Sequence, residues 1–315
     1  LKCGFMRFFP ALVALTAAAA SPEPAQGADQ KTKRVRDECV DALGLDGSAV
    51  AVRDVLTYSR TFCSGTITGA VVGEVLGFVL PWQGDGYKVS RFVRSKLTFA
   101  SPAWYRILPG RKSVFSVHGR ETVDSAWATK MGKLQDGMPA PVMMPRISLE
   151  GFENVTQLEA LLESPQEVGD ALKKLCAEEK CGGFVVDATL LFFPQIKAAA
   201  LGFLHLLSQA LADGDLRMHL ILPPAGRHSL EVTAEDLLAL PLVHRFVLQT
   251  RDFTRGAEFG PAAPLPWLKA AVSRLTAATP AVAPRLLVDI GLYARAWTGG
   301  EGRVLPARDL LRVLR

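Results

Sequence analysis

No stretch of this sequence offers a clear membrane span. The candidate, the apolar run Phe8–Ala20, has 13 residues, short of the roughly 20 that cross a bilayer. Charge of one sign is scarce too. The balance is 36 Lys+Arg against 31 Asp+Glu, a net +5 that is scattered along the chain, so no nucleic-acid footprint appears. Cysteine is sparse, with five in 315 residues, and Cys176 and Cys181 are neither spaced as CxxC nor close to a histidine, which argues against zinc. The five histidines (His118, His205, His219, His228 and His244) fall in different elements and show no metal-ligand spacing. No GxGxxG follows the first candidate strand, and Gly84-Asp85-Gly86 is too short to cradle a dinucleotide. Ser90, Ser101 and Ser229 lack a nucleophile-elbow context. No cofactor or metal is therefore expected. With 49% hydrophobic and 21% charged residues the chain is ordinary globular material, long enough for one large domain or two small ones.

The beginning reads as a targeting segment. Residue 1 is Leu, and Met6 fits an initiator, so residues 1–5 read as gene-model read-through. Arg7 supplies a positive start to the apolar run, Ala18 and Ala20 have the spacing a signal peptidase favours, and Pro22 and Pro24 stop a helix. Residues 1–27 are expected to be this leader with its upstream read-through, the alternative being an uncleaved signal-anchor. Secretion gives the remaining cysteines a use. Cys39, Cys63, Cys176 and Cys181 allow three pairings, of which Cys39–Cys63 and Cys176–Cys181 are the sequence-local choice, against four buried free thiols. Asn154-Val155-Thr156 is a glycosylation sequon in that context.

Residues 28–72 are polar and mixed, with Lys31, Lys33, Arg34 and Arg36, and read as an irregular arm. From there a rhythm of short apolar runs and helical patterns predicts βα units around a parallel sheet. Strands are expected at Val75–Leu80, Leu97–Trp104, Val142–Ile147, Gly183–Ala188, Met218–Leu222, Phe246–Thr250 and Leu286–Leu292, with a hairpin strand at Ser113–Val117. Helices are expected at Thr156–Glu163, Glu167–Glu179 and Gln195–Ala212, and at segments opened by Thr233 and Pro266. Near-continuous hydrophobicity suits strands covered on both faces. The predicted fold is α/β, a (β/α)8 TIM-type barrel over residues 73–315 that stops before its eighth strand. A doubly wound sheet is the alternative.

Several blocks then resemble a known family. They are Gly73 to Trp82, Gly86-Tyr87, Ser95 to Thr98, Ser101 to Trp104, Asp124 with Trp127, Cys181 to Asp187, Thr250 with Asp252, and Gly260-Pro261 through Ala263 to Trp267. In order and content they resemble glycoside hydrolase family 18, over about residues 55–310. The resemblance implies a TIM-type barrel with a sugar groove at the C-terminal ends of the strands, where barrel sites sit. Catalytic members carry DxxDxDxE on the fourth strand. Its glutamate protonates the leaving oxygen while the substrate's own acetamido group attacks.

Here those four positions fall on Gly182, Val185, Asp187 and Thr189, and a Thr hydroxyl is no general acid near neutrality. The chitinase domain-containing branch of the family is similarly broken at the last position. On the sixth strand, where catalytic members carry MxYD, this chain has Gln249-Thr250-Arg251-Asp252. The resemblance therefore implies a chitinase-like protein that binds a chitin-type oligosaccharide or other glycan without cleavage. A residual glycosidase recruiting Asp187 or Asp252, and a secretory-pathway interaction module with a sorting receptor as partner, are the alternatives. Secretion or an endolysosomal destination follows from the leader, with neither nucleic acid nor stable membrane insertion.

The candidate sugar contacts are Trp82, Trp104, Asp187, Arg251, Asp252 and Trp297. Each has a plainer reading. Asp187 and Asp252 could sit in salt bridges, Asp187 with Arg146 or Arg251. Trp104 and Trp267 could pack in the core, and Met143 and Met144 read as core filler. His219 reads as a satisfied core residue.

Overall fold

A computed structural model describes residues 43, 50–59, 73–82, 85–133, 139–223, 232–254, 258–298 and 301–315. The leader, the basic cluster of the arm, Cys39 and Cys63 lie outside the described residues. Two compact units divide the chain. One comprises Glu74–Thr250 with Leu268–Asp289; the other takes the described residues of Leu1–Gly73, Arg251–Trp267 and Ile290–Arg315.

In chain order the elements begin with α1 (Val52–Tyr58), β1 (Leu76–Val79), α2 (Gly86–Phe92), β2 (Phe99–Pro109), β3 (Phe115–His118) and α3 (Ser125–Met131). Next come β4 (Val142–Met143), β5 (Arg146–Leu149), α4 (Val155–Leu162), α5 (Pro165–Glu179), β6 (Gly183–Asp187), α6 (Lys197–Ala212) and β7 (Arg217–Leu222). The last are α7 (Ala234–Leu238), β8 (Val243–Gln249), α8 (Leu265–Thr276), β9 (Leu286–Asp289), β10 (Tyr293–Thr298), β11 (Glu301–Pro306) and α9 (Ala307–Leu314).

The first unit holds one sheet in the order β1-β2-β5-β6-β7-β8-β9, parallel at every step, and it curls into a nearly closed barrel of the (β/α)8 type. Because side chains alternate along a strand, the sheet sorts its residues into two cores. Phe99, Met144, Val185, Ile221 and Val247, with Leu76, Phe78, Val142 and Leu287, pack inside the barrel. Ala100, Ile107, Ile147, Phe184, Val186, Leu220, Phe246 and Leu248 pack outward beneath the helices.

The expected strands appear with shifts that have physical causes. The third is cut in two at Pro145, which has no N–H for the ladder, giving β4 and β5. The second runs on to Pro109 because the expected hairpin strand, β3, pairs antiparallel with Arg106–Pro109. The seventh ends at Asp289, and the chain then forms the antiparallel β10–β11 hairpin, which no sequence signal had marked.

Helix ends follow local chemistry. Thr233 caps α7 in a reciprocal capping box with Asp236. Lys180, in the left-handed region at φ 56°, ends α5, and a disulfide joins Cys176 to Cys181 across that turn. Gly183 follows at φ 143°, and a Cβ there would lie 1.9 Å from the Arg217 carbonyl oxygen. Only glycine lets β6 approach β7 this closely.

Candidate functional site

Asp187 ends β6, and the side-chain alternation that puts Val185 inside the barrel puts Asp187 on the same face, at the C-terminal mouth. Arg146, on the neighbouring β5, forms an ion pair with Oδ2 of Asp187. Oδ1 accepts from the Thr189 hydroxyl at 3.0 Å and from the Thr189 backbone N–H at 3.3 Å. Both oxygens are thus engaged, and the side chains of Arg146 and Asp187 are only 26% and 12% exposed. Of the salt-bridge partners weighed from the sequence, Arg146 is the one in place. Thr189 orients Asp187 and gives its proton to that carboxylate's hydrogen bond.

Further polar groups share this mouth. The Ser148 hydroxyl donates to Glu150 at 2.5 Å, and Thr250 donates to the Asp289 backbone carbonyl at 2.7 Å. Trp82 follows β1 and is 69% exposed. Phe193, 52% exposed, lies beyond the short turn after Asp187 and was not anticipated. The only signal for it was an aromatic placed between a strand end and Pro194.

Trp104 does not serve as a sugar platform. Phe99 points inside the barrel, so alternation sends Ala100 and then Trp104 outward. The ring is 3% exposed, its Nε1–H donates to the Tyr87 hydroxyl at 2.9 Å, and it meets Trp127 edge-on at 5.8 Å. Asp124 caps the helix that delivers Trp127 by accepting from its backbone N–H at 2.8 Å. These residues of the resemblance are packing residues.

The remaining candidates belong to the other unit. Asp252 has φ 59°, a left-handed conformation that costs a non-glycine residue energy and is retained where surroundings impose it. Its Oδ1 accepts from the Tyr293 hydroxyl at 2.5 Å and from Arg295 Nη2 at 2.8 Å. Burial first, and the adjacent Asp252 carboxylate second, push the Tyr293 hydroxyl well above its ordinary pKa, so it remains a donor. Tyr293 and Arg295 lie two residues apart on one face of β10, and sequence reading passed over both. Arg251 lies near enough to Tyr293 to act on it electrostatically. Trp297, on the same strand, is half-buried with Phe259 edge-on at 5.2 Å, and Trp267 packs on Phe253 at 5.2 Å. The Nε1–H of each tryptophan is buried without a hydrogen-bond partner among the described residues.

A second polar cluster sits inside the barrel of the first unit, around β7 and β8. His219 is fully buried, and its Nε2 lies 3.0 Å from Nδ1 of His244 with the rings nearly coplanar. His244 Nε2 is 3.9 Å from Glu74, which Arg245 Nε holds at 2.6 Å. Burial first, then His244 and the cations of Arg245 and Arg217, lowers the His219 pKa to about 3. Among the described residues no group of three or more His, Cys, Asp or Glu is placed to hold a metal ion, and no helix is long and apolar enough to cross a membrane.

No protein-family model matches the chain. Solved structures do. A chitinase from Chromobacterium violaceum superposes with a TM-score of 0.63 at 17% identity, over 77% of this chain and 76% of that one. A family 18 chitinase from the chitin utilization locus of Flavobacterium johnsoniae gives 0.57 at 17% identity, over 76% and 75%. A class V chitinase from Pseudomonas fluorescens gives 0.56 at 17% identity, over 70% and 69%. At such identities the shared property is the architecture: this chain has the barrel fold of the family 18 chitinases.

Proposed function

We propose that this protein binds an N-acetylhexosamine-containing glycan, of which chitin-type oligosaccharide is the model, at the C-terminal ends of its barrel strands, and does not cleave it. One observation carries the reading. At the position of the family's acid stands Thr189, whose hydroxyl is spent on Asp187, while Arg146 takes the other oxygen of the same carboxylate. Leaving-group protonation needs a donor with a pKa near the working pH. Asp187 is here an acceptor from two neighbours, which also weakens the reading of a residual glycosidase. The sequence blocks and the broken acid position favour the chitinase domain-containing branch, that of the stabilin-interacting chitinase-like protein. The chitinases among the structural neighbours support the ligand class.

The exposed rings of Trp82 and Phe193 support sugar binding over a pure protein-interaction role, since pyranose CH groups stack on aromatic faces. Titration with chitohexaose, with product assayed in the same samples, is expected to show binding without turnover. Trp82→Ala should weaken binding roughly tenfold, the equivalent of about 1.4 kcal/mol. Turnover, or no binding at all, would overturn the proposal.

We place the protein in the secretory pathway, secreted or endolysosomal, on the leader and on the sequon. Asn154 is exposed and extended at the N-cap of α4, where Oδ1 accepts from Gln157 N–H at 2.9 Å and leaves the amide nitrogen to carry a glycan. Expression through a eukaryotic secretory pathway should yield protein whose mobility increases on endoglycosidase treatment. Thr156→Ala, which destroys the sequon and keeps the cap, should remove that shift. A wild type indifferent to the enzyme would remove the glycan from this account.

A further inference from the structure

The registers of four strands place one polar row across the mouth. His118 on β3 pairs with Arg106 on β2, Arg106 pairs with Ser148 on β5, and Ser148 pairs with Asp187 on β6. Residues directly opposite each other on adjacent strands share a face. The neighbouring row, Val117, Ile107 and Leu149, packs on the outer core beneath the helices, so the polar row takes the other face, continuous with the barrel interior. Three interstrand steps of about 4.8 Å make the row roughly 14 Å long. The mouth therefore extends sideways from Asp187 onto the β2–β3 hairpin.

Charge changes along that extension. At the Asp187 end the carboxylate is balanced by Arg146. At the hairpin end Arg106 is exposed and forms no ion pair among the described residues. Arg111 and Lys112, both exposed at the hairpin tip just past the Pro109–Phe115 pair, likewise form none. His118 is exposed and meets the Ser116 hydroxyl at 2.9 Å. Besides Asp187, the row meets Glu150, which accepts from the Ser148 hydroxyl. Arg120, past the end of β3, is already paired with Glu178. Arg106, Arg111 and Lys112 thus stand without an ion-pair partner among the described residues, while Asp187 is balanced by Arg146.

We propose that this row is an extended subsite that selects an acidic glycan, one carrying carboxylates on alternate sugars, with Arg106 reading the carboxylate and the hairpin tip adding attraction. The proposal rests on the glycan-binding reading above and specifies the ligand class of that same site. A guanidinium matches a carboxylate in a planar, two-bond arrangement. Neutral chitin-type chains would leave these cations unused.

The test compares two hexasaccharides on the full chain by calorimetry: chitohexaose, and a hyaluronan hexasaccharide in which glucuronate alternates with N-acetylglucosamine. The acidic probe should bind more tightly at low salt and lose that advantage as salt rises. Arg106→Gln should weaken the acidic probe about fivefold, and chitohexaose by much less. Arg111→Ser with Lys112→Ser at the exposed tip should act in the same direction and guards against a folding effect at β2. Equal affinity for both probes, or an acidic preference indifferent to these variants, overturns the subsite and leaves the glycan reading standing. Failure of both probes to bind sinks both readings.

Discussion

Replacing Arg146 by methionine should lower the unfolding free energy by about 3 kcal/mol, the low end of what removing one partner of a buried ion pair costs. The low end applies because Arg146 keeps 26% of its side-chain surface exposed. The cost falls on what remains. Asp187, 12% exposed, would keep its charge at the barrel mouth with only Thr189 donating to it. Replacing both partners, Arg146→Met with Asp187→Leu, should return most of the lost stability, since an apolar pair of similar volume carries no desolvation cost. Denaturant titration of the wild type, both single variants and the double variant closes the cycle. A single-variant loss below about 0.5 kcal/mol would mean that the pair is a surface contact of the ordinary kind. The non-catalytic reading would then rest on Thr189 at the acid position alone. Both oxygens of Asp187 are engaged by neighbours within the chain, Oδ2 by Arg146 and Oδ1 by Thr189.

The strands were legible because each is a short apolar run bounded by glycine, proline or charge, and burial on both faces leaves that pattern little latitude. The ends were less so. Pro145 announces the break between β4 and β5, yet the apolar run continues through Met144 and hides it. The role of Trp104, sugar contact or core packing, stayed open for a different reason. Alternation is readable in Phe99-Ala100-Ser101-Pro102-Ala103-Trp104, but which of its two faces points inward depends on the closure of the sheet. The Arg146–Asp187 pair was one of two options until β5 came to lie beside β6, with Arg146 opposite Val185 and so diagonal to Asp187 on the same face. The row from His118 to Asp187 had no local signal, because its members come from four strands up to 81 positions apart. The same holds for Tyr293 and Arg295, 41 and 43 residues from the Asp252 they hold. Thr189 was legible outright, because a motif with a fixed spacing either presents an acid at its last position or does not.

Acidification should cost this fold about 3 kcal/mol between pH 7 and pH 4 through His219 alone. The sign follows from where the proton goes. In the unfolded chain His219 takes a proton near pH 6.5. In the folded chain it is fully buried among Phe99, His244, Arg245 and Arg217, and its pKa drops to about 3. A group whose folded pKa is depressed stabilises fully above the unfolded value, and that contribution drains away as pH falls from about 6.5 toward about 3. At about 1.36 kcal/mol per pH unit, the 2.5 units down to pH 4 give the figure above. His244 adds to the slope in the same direction: burial first, and Arg245 next, lower its pKa, with Glu74 opposing.

His219→Phe keeps an aromatic ring against Phe99 and removes the titrating group. It leaves His244 Nδ1 without its partner, so the readout is the pH slope rather than the absolute stability. Denaturation midpoints from pH 7 to pH 4 should fall less steeply in the variant, by most of 3 kcal/mol. Parallel slopes would mean that the buried pair accepts a proton without penalty. The slope bears on where the protein works. At pH 5 the same arithmetic removes about 2 kcal/mol, a large share of the 5–15 kcal/mol that holds an ordinary domain together. Between the two compartments proposed, a near-neutral secreted environment leaves this barrel its full stability. An endolysosomal one would require another contribution to offset the buried pair.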